Sequence, residues 1–227
     1  KTDTNRKPLV VHGARQVGKT WTLKYFGREY FDDVAYFSLD KDESGLCDVF
    51  RTTKDPQRII QHLSFLHGKK IEPQTTLLIL DEIQECNEAL NALKYFCEEA
   101  PEYAVACAGS LLGIYLNHVG KSFPVGKVNH LYMYPLTFTE FLRTKDPVMH
   151  EYMHSIDKVE PLPQIFFDKL RESFTAYSIC GGMPEPATLM VDFNDMERVD
   201  SALQDILNDY ACLLYTSPSP RDRQKSR

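Results

Sequence analysis

Residues 13–20 read Gly-Ala-Arg-Gln-Val-Gly-Lys-Thr and decide the fold, because they match the pattern G-x-x-x-x-G-K-[ST] at every fixed position. An apolar run at residues 9–12 predicts a strand just before the match, and residues 19–26 predict a helix directly after that strand and turn. The glycines let successive backbone N–H groups turn inward around a phosphate, and the helix N-terminus adds partial positive charge. The sequence therefore predicts a phosphate-binding loop of Gly13, Ala14, Arg15, Gln16, Val17, Gly18, Lys19 and Thr20.

Two side chains of this loop have distinct tasks in such a site. Lys19 is predicted to reach the β- and γ-phosphate oxygens of a nucleotide, and the Thr20 hydroxyl is predicted to bind Mg²⁺. The alternative is a glycine-rich turn that binds nothing. The complete pattern in its strand–loop–helix context favours the binding site.

An acidic pair follows the most apolar predicted strand. Residues 77–82 read Leu-Leu-Ile-Leu-Asp-Glu, the pattern of a buried central strand whose carboxyl end presents acids at the ligand crevice. We expect Asp81 to hold Mg²⁺ through water and Glu82 to polarise the attacking water. A strand that ends in a solvated acidic turn is the alternative. The acidic pair favours a hydrolase over a small-molecule kinase, which needs no water-activating glutamate at this position.

The next predicted strand ends in a small polar side chain. Residues 106–110 read Ala-Cys-Ala-Gly-Ser, and the sheet type places Ser110 beside the acids of the preceding strand. Ser110 is predicted to sense the γ-phosphate or to orient the water. Capping of a following helix is a competing role, and both roles can hold.

Apolar runs alternate with helical patterns in the first half of the chain, which predicts a parallel α/β sheet flanked by helices. Strands are predicted at residues 9–12, 34–40, 76–80, 103–108 and 125–133. Helices are predicted at residues 19–26, from the Asp55-Pro56 cap onward, and at residues 88–99. We interpret residues 1–145 as a nucleotide-binding core.

The pattern changes after this sheet. Thr137 and Glu140 form the capping box of a helix predicted to run through Arg143, and residues 146–163 are predicted to be a loop-rich linker. Two further helices are predicted at residues 165–179 and 196–210, separated by Gly-Gly-Met-Pro-Glu at 181–185. Residues 146–211 are therefore expected to form a small helical lid.

Composition limits the class of protein. The chain has 227 residues, 43% hydrophobic and 26% charged, which excludes collagen-like, disordered and disulfide-scaffold proteins. Its six cysteines form no C-x-x-C pair, so we expect reduced thiols in a cytoplasmic protein. The longest apolar stretches, residues 77–80 and 103–108, are far shorter than the roughly 18 residues that cross a bilayer, so no membrane partner is expected.

The charge is unevenly distributed. Residues 213–227 hold four basic and one acidic side chain, so the net charge is −6 for the whole chain and −9 without them. An acidic body argues against a nucleic-acid partner for this portion. Residues 212–227 are predicted to be an unstructured tail, because they contain Ser-Pro-Ser-Pro and too little apolar surface to fold.

Three segments together, GARQVGKT, LLILDEIQ and ACAGSLLG, resemble the AAA+-type P-loop ATPases. Residues 122–142 and 177–187 resemble, more narrowly, a prokaryotic ATP-binding family whose AAA-like domain precedes a C-terminal domain of unknown function. The resemblance covers about residues 7–210 and implies the strand order 5-1-4-3-2 with a small helical lid. It also implies that Gly182, Met183 and Pro184 touch the nucleotide, with a helix–turn–helix connector as the equally weighted alternative.

The sequence departs from this family at two places. Many relatives carry arginine at the position of Lys127, where it acts as a finger on the phosphate, and Arg143 is the other candidate here; lysine lacks the planar fork of arginine. The tail at 213–227 looks like translated sequencing-adapter read-through, which implies that the natural chain is longer. A basic arm for nucleic acid or membrane is the competing interpretation.

The sequence thus predicts Mg²⁺-dependent ATP binding and hydrolysis that drives a conformational switch. ATP and Mg²⁺ are the expected cofactors, with an unidentified protein client and oligomerisation left open. One alternative is a nucleotide-gated signalling or scaffold module with little or no hydrolysis. Another is the ATPase part of a DNA-acting protein whose effector domain is missing, and a small-substrate P-loop kinase is disfavoured.

Overall fold

The structure, a computed structural model, describes residues 6–40, 45–110 and 126–216. The chain divides into an amino-terminal unit that ends at Tyr134 and a carboxy-terminal unit that begins at Pro135. The first unit contains a sheet with helices, and the second unit is helical in its described part.

The sheet of the first unit has five parallel strands. They are β1 (Leu9–Gly13), β2 (Asp33–Ser38), β3 (Thr76–Asp81), β4 (Ala104–Gly109) and β5 (Asn129–Met133). Their order is β2-β3-β4-β1-β5, which confirms the predicted order 5-1-4-3-2. Every residue of β3 and β4 is buried, because a central parallel strand is covered on both faces.

Helices cover both faces of this sheet. In the first unit they are α1 (Lys19–Tyr30), α2 (Leu46–Thr52), α3 (Pro56–His67), a short 3₁₀ helix (Ile83–Glu85) and α4 (Asn87–Glu99). One face packs against α2, α3 and α4, where Leu78 and Leu80 of β3 join their apolar side chains. The opposite face packs against α1 through Leu23, Leu77 and Ile79. Alternate residues of β3 therefore serve two separate cores.

Local capping signals account for several boundaries. The Asp55 side chain accepts a hydrogen bond from the backbone N–H of Gln57, and Pro56 occupies the first turn of α3, as predicted. The helix α2 was not predicted, and it buries Leu46 and Phe50. The last strand is shorter than the predicted residues 125–133, because its pairing with β1 begins at Asn129.

The outer face of α1 is aromatic. Trp21 is 69% exposed and Tyr25 is 51% exposed, and their rings stack with centroids 5.2 Å apart. They lie one helical turn apart, which places them on the same face. Trp21 directly follows Thr20 and is the only tryptophan of the chain.

The second unit consists of helices in its described residues. They are α5 (Phe138–Lys145), α6 (Pro147–His154), α7 (Gln164–Cys180), α8 (Pro184–Asp192) and α9 (Met196–Thr216). The capping box of Thr137 and Glu140 is present at the start of α5, as predicted. Within residues 6–40, 45–110 and 126–216, no helix combines the length and the apolar character needed to cross a membrane.

Two helices of this unit correct the sequence prediction. Residues 146–163 were predicted to be a linker, but α6 lies within them: Asp146 accepts a hydrogen bond from the backbone N–H of Met149, and Met149 is buried. The helix α8 (Pro184–Asp192) was not predicted at all: only the segment 181–185 was expected between the helices predicted at 165–179 and 196–210. In both helices proline occupies the first turn, where a missing N–H costs no intrahelical bond.

The unit boundaries also differ from the prediction. The helix α5 belongs to the second unit rather than to a core of residues 1–145, because Phe141 packs with Ala176 and Cys180 of α7. The helix α9 extends to Thr216, into the segment 212–227 that was predicted to be unstructured. No glycine or proline interrupts it before Pro218, so the backbone has no local signal to stop earlier. Residues 217–227 lie outside the described part of the chain.

A close backbone contact fixes the start of α5 within the second unit. The Gly182 carbonyl accepts a hydrogen bond of 2.7 Å from the Leu136 N–H, and the Tyr177 hydroxyl donates to the Leu136 carbonyl at 2.8 Å. Gly182 has φ +72°, and a Cβ atom there would collide with the Leu136 carbonyl oxygen. Glycine is therefore required at 182 by both backbone conformation and space.

We expect Gly182→Ala to destabilise the second unit more than Gly181→Ala does. Both positions have positive φ, which costs a side-chain-bearing residue about 1–2 kcal/mol, but no atom lies within 4 Å of a Cβ built at Gly181. The collision with Leu136 adds about 1–3 kcal/mol for the first variant alone. Thermal unfolding followed by far-ultraviolet circular dichroism measures both variants. Equal melting temperatures would contradict the steric argument.

Candidate functional site

The phosphate-binding loop connects the end of β1 to the start of α1. Gly18 adopts φ +92° at the helix start, and Gln16 has φ +62°, a left-handed conformation that is uncommon for a residue with a side chain. A Cβ atom on Gly13 would collide with the Met133 carbonyl oxygen of β5. Glycine is therefore required at the two positions for different reasons. At position 13 the neighbouring strand approaches too closely for a side chain, and at position 18 the backbone is left-handed.

Lys19 points back into this loop. Its side chain is only 6% exposed, and Nζ donates to the carbonyl oxygens of Gly13 at 3.0 Å and Ala14 at 2.7 Å. Burial lowers the pKa of the ammonium, the carboxylates of Glu82 and Asp81 act in the opposite direction, and Arg15 lowers it further. The Lys19 ammonium is thus buried against the carbonyl oxygens of its own loop.

Thr20 and Asp81 meet although they lie 61 residues apart. The Thr20 hydroxyl donates to Asp81 Oδ2 at 2.6 Å, and the Asp81 side chain is 5% exposed at the end of β3. A hydroxyl and a carboxylate are hard oxygen ligands that suit Mg²⁺, which usually combines one or two such groups with phosphate oxygens and waters. The donor set therefore fits Mg²⁺. Across the part of the chain that the structure describes, no group of three or more His, Cys, Asp or Glu side chains forms a metal cage.

Tyr36 is a third group at this carboxylate, and sequence reasoning missed it. Its hydroxyl donates to the same Asp81 oxygen at 3.1 Å, from β2, where it pairs with Ile79 of β3. Burial and the neighbouring Asp81 raise the pKa of Tyr36 to about 12, so the phenol remains a donor at neutral pH. The Lys24 ammonium lies 3.3 Å from the centre of the Tyr36 ring.

Glu82 and Ser110 are in direct contact. The Ser110 hydroxyl donates to Glu82 Oε2 at 3.1 Å, and its backbone N–H lies 3.4 Å from the same oxygen. Glu82 has φ +48°, and its own N–H donates to Asp81 Oδ1 at 3.1 Å. Parallel strands place the ends of β3 and β4 side by side, which is how two segments that are distant in sequence form this pair. The residues that would form a helix capped by Ser110 lie outside the described part of the chain.

Gln84 also binds this carboxylate. Its Nε2 donates to Glu82 Oε2 at 2.6 Å, and the side chain is 4% exposed. Its Oε1 is buried and has no hydrogen-bond partner among the described residues, an arrangement that costs about 1–3 kcal/mol in a typical protein interior. The sequence signal was present in the motif LLILDEIQ, but no role was assigned to the glutamine.

The structure shows contacts of its own for other residues that the sequence named. Pro184 begins α8 in the second unit, and the preceding Gly182 makes the backbone contact with Leu136, so a structural connector accounts for part of this segment. Contact of Gly182, Met183 and Pro184 with a nucleotide stays a prediction. Lys127 forms an ion pair of 2.8 Å with Glu98, which raises the pKa of the lysine.

The two candidate fingers differ in location. Lys127 precedes β5, at the amino end of the sheet, whereas the phosphate-binding loop follows the carboxyl end of β1. Lys127 and the loop therefore lie at opposite ends of the sheet, and the role of Lys127 as a finger stays a prediction. Arg143 is an exposed residue of α5 in the second unit, and its proposed role also stays a prediction.

A histidine pair lies next to the loop. His12, the residue before Gly13, is 8% exposed, and its Nε2 lies 2.8 Å from Nδ1 of His130 on β5. The Tyr132 ring stacks on His12 with centroids 4.9 Å apart. Burial lowers the pKa of His12, and the neighbouring His130 lowers it further. The pair thus favours a neutral imidazole at the strand that leads into the loop.

A family model described as an AAA domain matches residues 5–142. Among solved structures, the Walker-type ATPase PABY2304 of Pyrococcus abyssi is similar, with a TM-score of 0.54 and 17% identity over 94% of this chain and 72% of that chain. PCH-2 of C. elegans gives a TM-score of 0.40 and 13% identity over 86% of this chain and 61% of that chain. No curated protein matches. The first structural likeness supports the fold described above.

We expect acidification to destabilise the first unit through His12. Its pKa is lowered in the folded chain, so the unfolded chain takes up a proton first as pH falls through the ordinary histidine pKa of about 6.5. The stability that the neutral His12 contributes is therefore present above that pH and is lost below it. Melting temperatures measured between about pH 7.5 and about pH 5.5 should fall less steeply in His12→Gln.

His62→Gln, which changes an exposed histidine of α3, is the matched control for this measurement. The control should keep the wild-type pH dependence. Equal slopes for wild type and His12→Gln would show that the histidine pair does not govern acid stability in this range.

Proposed function

This chain belongs to the AAA-domain family, and we propose that it binds ATP with Mg²⁺, hydrolyses it and uses the cycle to switch its conformation. The family and the phosphate-binding loop support an ATPase-type nucleotide-binding function. The observation that carries the finer proposal is the 2.6 Å hydrogen bond between Thr20 and Asp81. It brings the loop and the acidic strand end to one place, where a phosphate-bound cation needs both.

Phosphate binding rests on the loop and the start of α1. The first turn of a helix leaves backbone N–H groups without intrahelical acceptors, and these donate well to an anion. Gly18 at the helix start makes no side-chain capping bond, so no capping side chain competes with a phosphate there. Lys19 adds a full positive charge next to the same groups, which favours the β- and γ-phosphates over uncharged ligands.

Thr20 and Asp81 are the residues that hold Mg²⁺ in this proposal. When bound, the ion neutralises charge on the β- and γ-phosphate oxygens. Tyr36 donates to Asp81 Oδ2 and the Glu82 N–H donates to Oδ1, so the carboxylate is held from two sides before any ligand arrives. A fixed carboxylate loses less side-chain freedom when it binds a cation.

Glu82 is the proposed base. The hydrogen bonds that described residues donate to its carboxylate all end on Oε2, which leaves Oε1 to accept a proton. The water oxygen then bonds to the γ-phosphorus, the bond from that phosphorus to the bridging oxygen breaks, and ADP and phosphate leave. Lys19 stabilises the charge that develops on the phosphate oxygens.

The proposed switch follows from the contacts of Ser110. Its hydroxyl donates to Glu82 in the structure, and a γ-phosphate would offer it a second acceptor. The ATP and ADP states then differ in the hydrogen bonds at the end of β4. ATP then shifts the protein toward whichever of its two conformations binds ATP more tightly, and the shift is as large as the difference between the two affinities.

One observation favours a slower, nucleotide-gated module as a second candidate. Glu82 Oε2 accepts hydrogen bonds from both Gln84 and Ser110, so protein groups already engage this carboxylate and compete with a water at the same oxygen. Turnover slower than nucleotide release would support the gated module, and turnover faster than release would support the ATPase. Single-turnover hydrolysis compared with the dissociation rate of ATP separates the two.

We expect Lys19→Ala to weaken ATP binding by more than tenfold. A hydrogen bond to a charged group typically contributes about 1.5–3 kcal/mol, and about 1.4 kcal/mol corresponds to tenfold in affinity. Calorimetric titration with MgATP measures the change. The control is Lys70→Ala, which removes the same charge from an exposed lysine paired with Glu72. Equal ATP affinity in wild type and Lys19→Ala would contradict the proposed site.

Glu82→Gln should retain ATP binding and reduce hydrolysis by about 10²-fold or more, the range typical for removal of a general base. The substitution keeps the size of the side chain and removes its ability to take a proton. The measurement is single-turnover hydrolysis of labelled ATP at saturating Mg²⁺, with a binding titration on the same samples.

Glu85→Gln is the matched control, because Glu85 is an exposed acid in the short 3₁₀ helix that directly follows Glu82. Its hydrolysis rate should equal that of wild type. An unchanged rate in Glu82→Gln would remove Glu82 from the mechanism. Loss of ATP binding in Glu82→Gln would instead make Glu82 a structural or metal-binding residue.

A further inference from the structure

The amide of Gln84 has a defined orientation. Its partner is the carboxylate of Glu82. An ionised carboxylate has no proton to donate, so the NH₂ group of Gln84 is the end of the amide that lies 2.6 Å from Oε2 and donates to it. The amide oxygen then points the other way, into a buried region where no residue of 6–40, 45–110 or 126–216 hydrogen-bonds to it. The side chain is 4% exposed, so solvent does not compensate for that oxygen.

This arrangement is poor for stability. A methionine of similar size would fill the same space without burying an unsatisfied oxygen. The acceptor is also in an unfavourable conformation, because Glu82 has φ +48° and is not glycine. Two local penalties therefore meet at one carboxylate, which points to a role in positioning rather than in folding.

The hydrogen bonds to this carboxylate converge from two elements. Gln84 donates from the 3₁₀ helix that follows β3, and Ser110 donates from the end of β4, both to Oε2. A carboxylate held at one oxygen by two donors cannot rotate freely, so the direction of Oε1 is set. Removal of the shorter of the two bonds would release this constraint.

We propose that Gln84 is a positioning residue that holds Glu82 with Oε1 directed at the attacking water. The inference rests on the proposed hydrolysis of ATP by this site. Gln84 touches neither the nucleotide nor the water in this mechanism, so its effect falls on the rate of the chemical step and not on ATP affinity.

The first test is Gln84→Met, which removes the donor and keeps the volume. Single-turnover hydrolysis at saturating MgATP should fall about tenfold or more, with the calorimetric dissociation constant for MgATP unchanged and the melting temperature equal to or above that of wild type. The matched control is Asn87→Leu. Asn87 begins α4 and also has a buried side-chain oxygen, which has no partner in the described part of the chain, and no hydrogen bond described there joins Asn87 to Glu82. Its hydrolysis rate should stay at the wild-type value.

The second test, Gln84→Glu, gives a signature that a space-filling role would not produce. At neutral pH the new carboxylate repels Glu82, whereas its protonated form donates a hydrogen bond in place of the amide. The hydrolysis rate of Gln84→Glu, divided by that of wild type at the same pH, should therefore rise as pH falls from about 8 to about 6. This variant also serves if Gln84→Met does not fold.

The outcomes separate the inference from the function on which it rests. A wild-type rate in Gln84→Met, an equal loss in Asn87→Leu, or a pH-independent ratio for Gln84→Glu would each overturn the positioning role while ATP hydrolysis stands. Wild-type protein that fails to bind MgATP, or that binds it without turnover, would overturn the proposed hydrolysis itself and this inference with it.

Discussion

The hydrogen bond from Thr20 to Asp81 is the contact on which the site depends. It forms only if α1 lies close enough to the sheet for Thr20 to reach across the intervening strand. Asp81 ends β3, Thr20 begins α1 after β1, and β4 lies between these two strands. The face of β4 that packs with α1 carries Ala104, Ala106 and Ala108. These small side chains let the helix approach the sheet closely, so a short threonine reaches an acid two strands away.

The boundaries of several helices and strands could be predicted from the sequence, because the residues that set them are neighbours along the chain. Caps such as Asp55 and Thr137 and the apolar run of β3 mark boundaries within a few residues of sequence. The same kind of signal, Asp146 before a proline, was present at α6, but a helix of eight residues with Met149 as its one buried residue has almost no periodicity to detect.

The partners of the catalytic candidates could not be predicted in the same way. Tyr36 reaches Asp81 only because β2 pairs with β3, and that pairing depends on the sheet order rather than on spacing along the chain. Gln84 is close in sequence to Glu82, yet its contact depends on the left-handed backbone of the glutamate. Sequence therefore identified the acids, and the tertiary structure identified what holds them.

The aromatic face of α1 has an optical consequence. Trp21 is the only tryptophan in the chain, it lies in the first unit, and it follows Thr20 with most of its ring in solvent. Its emission therefore reports on the first unit alone, whereas the helical ellipticity of the chain reports on both units. A dissolved quencher can reach the indole, and a solute that covers the start of α1 would shield it. The protein thus carries its own fluorophore beside the loop, and binding of a solute at the start of α1 can be followed without any label.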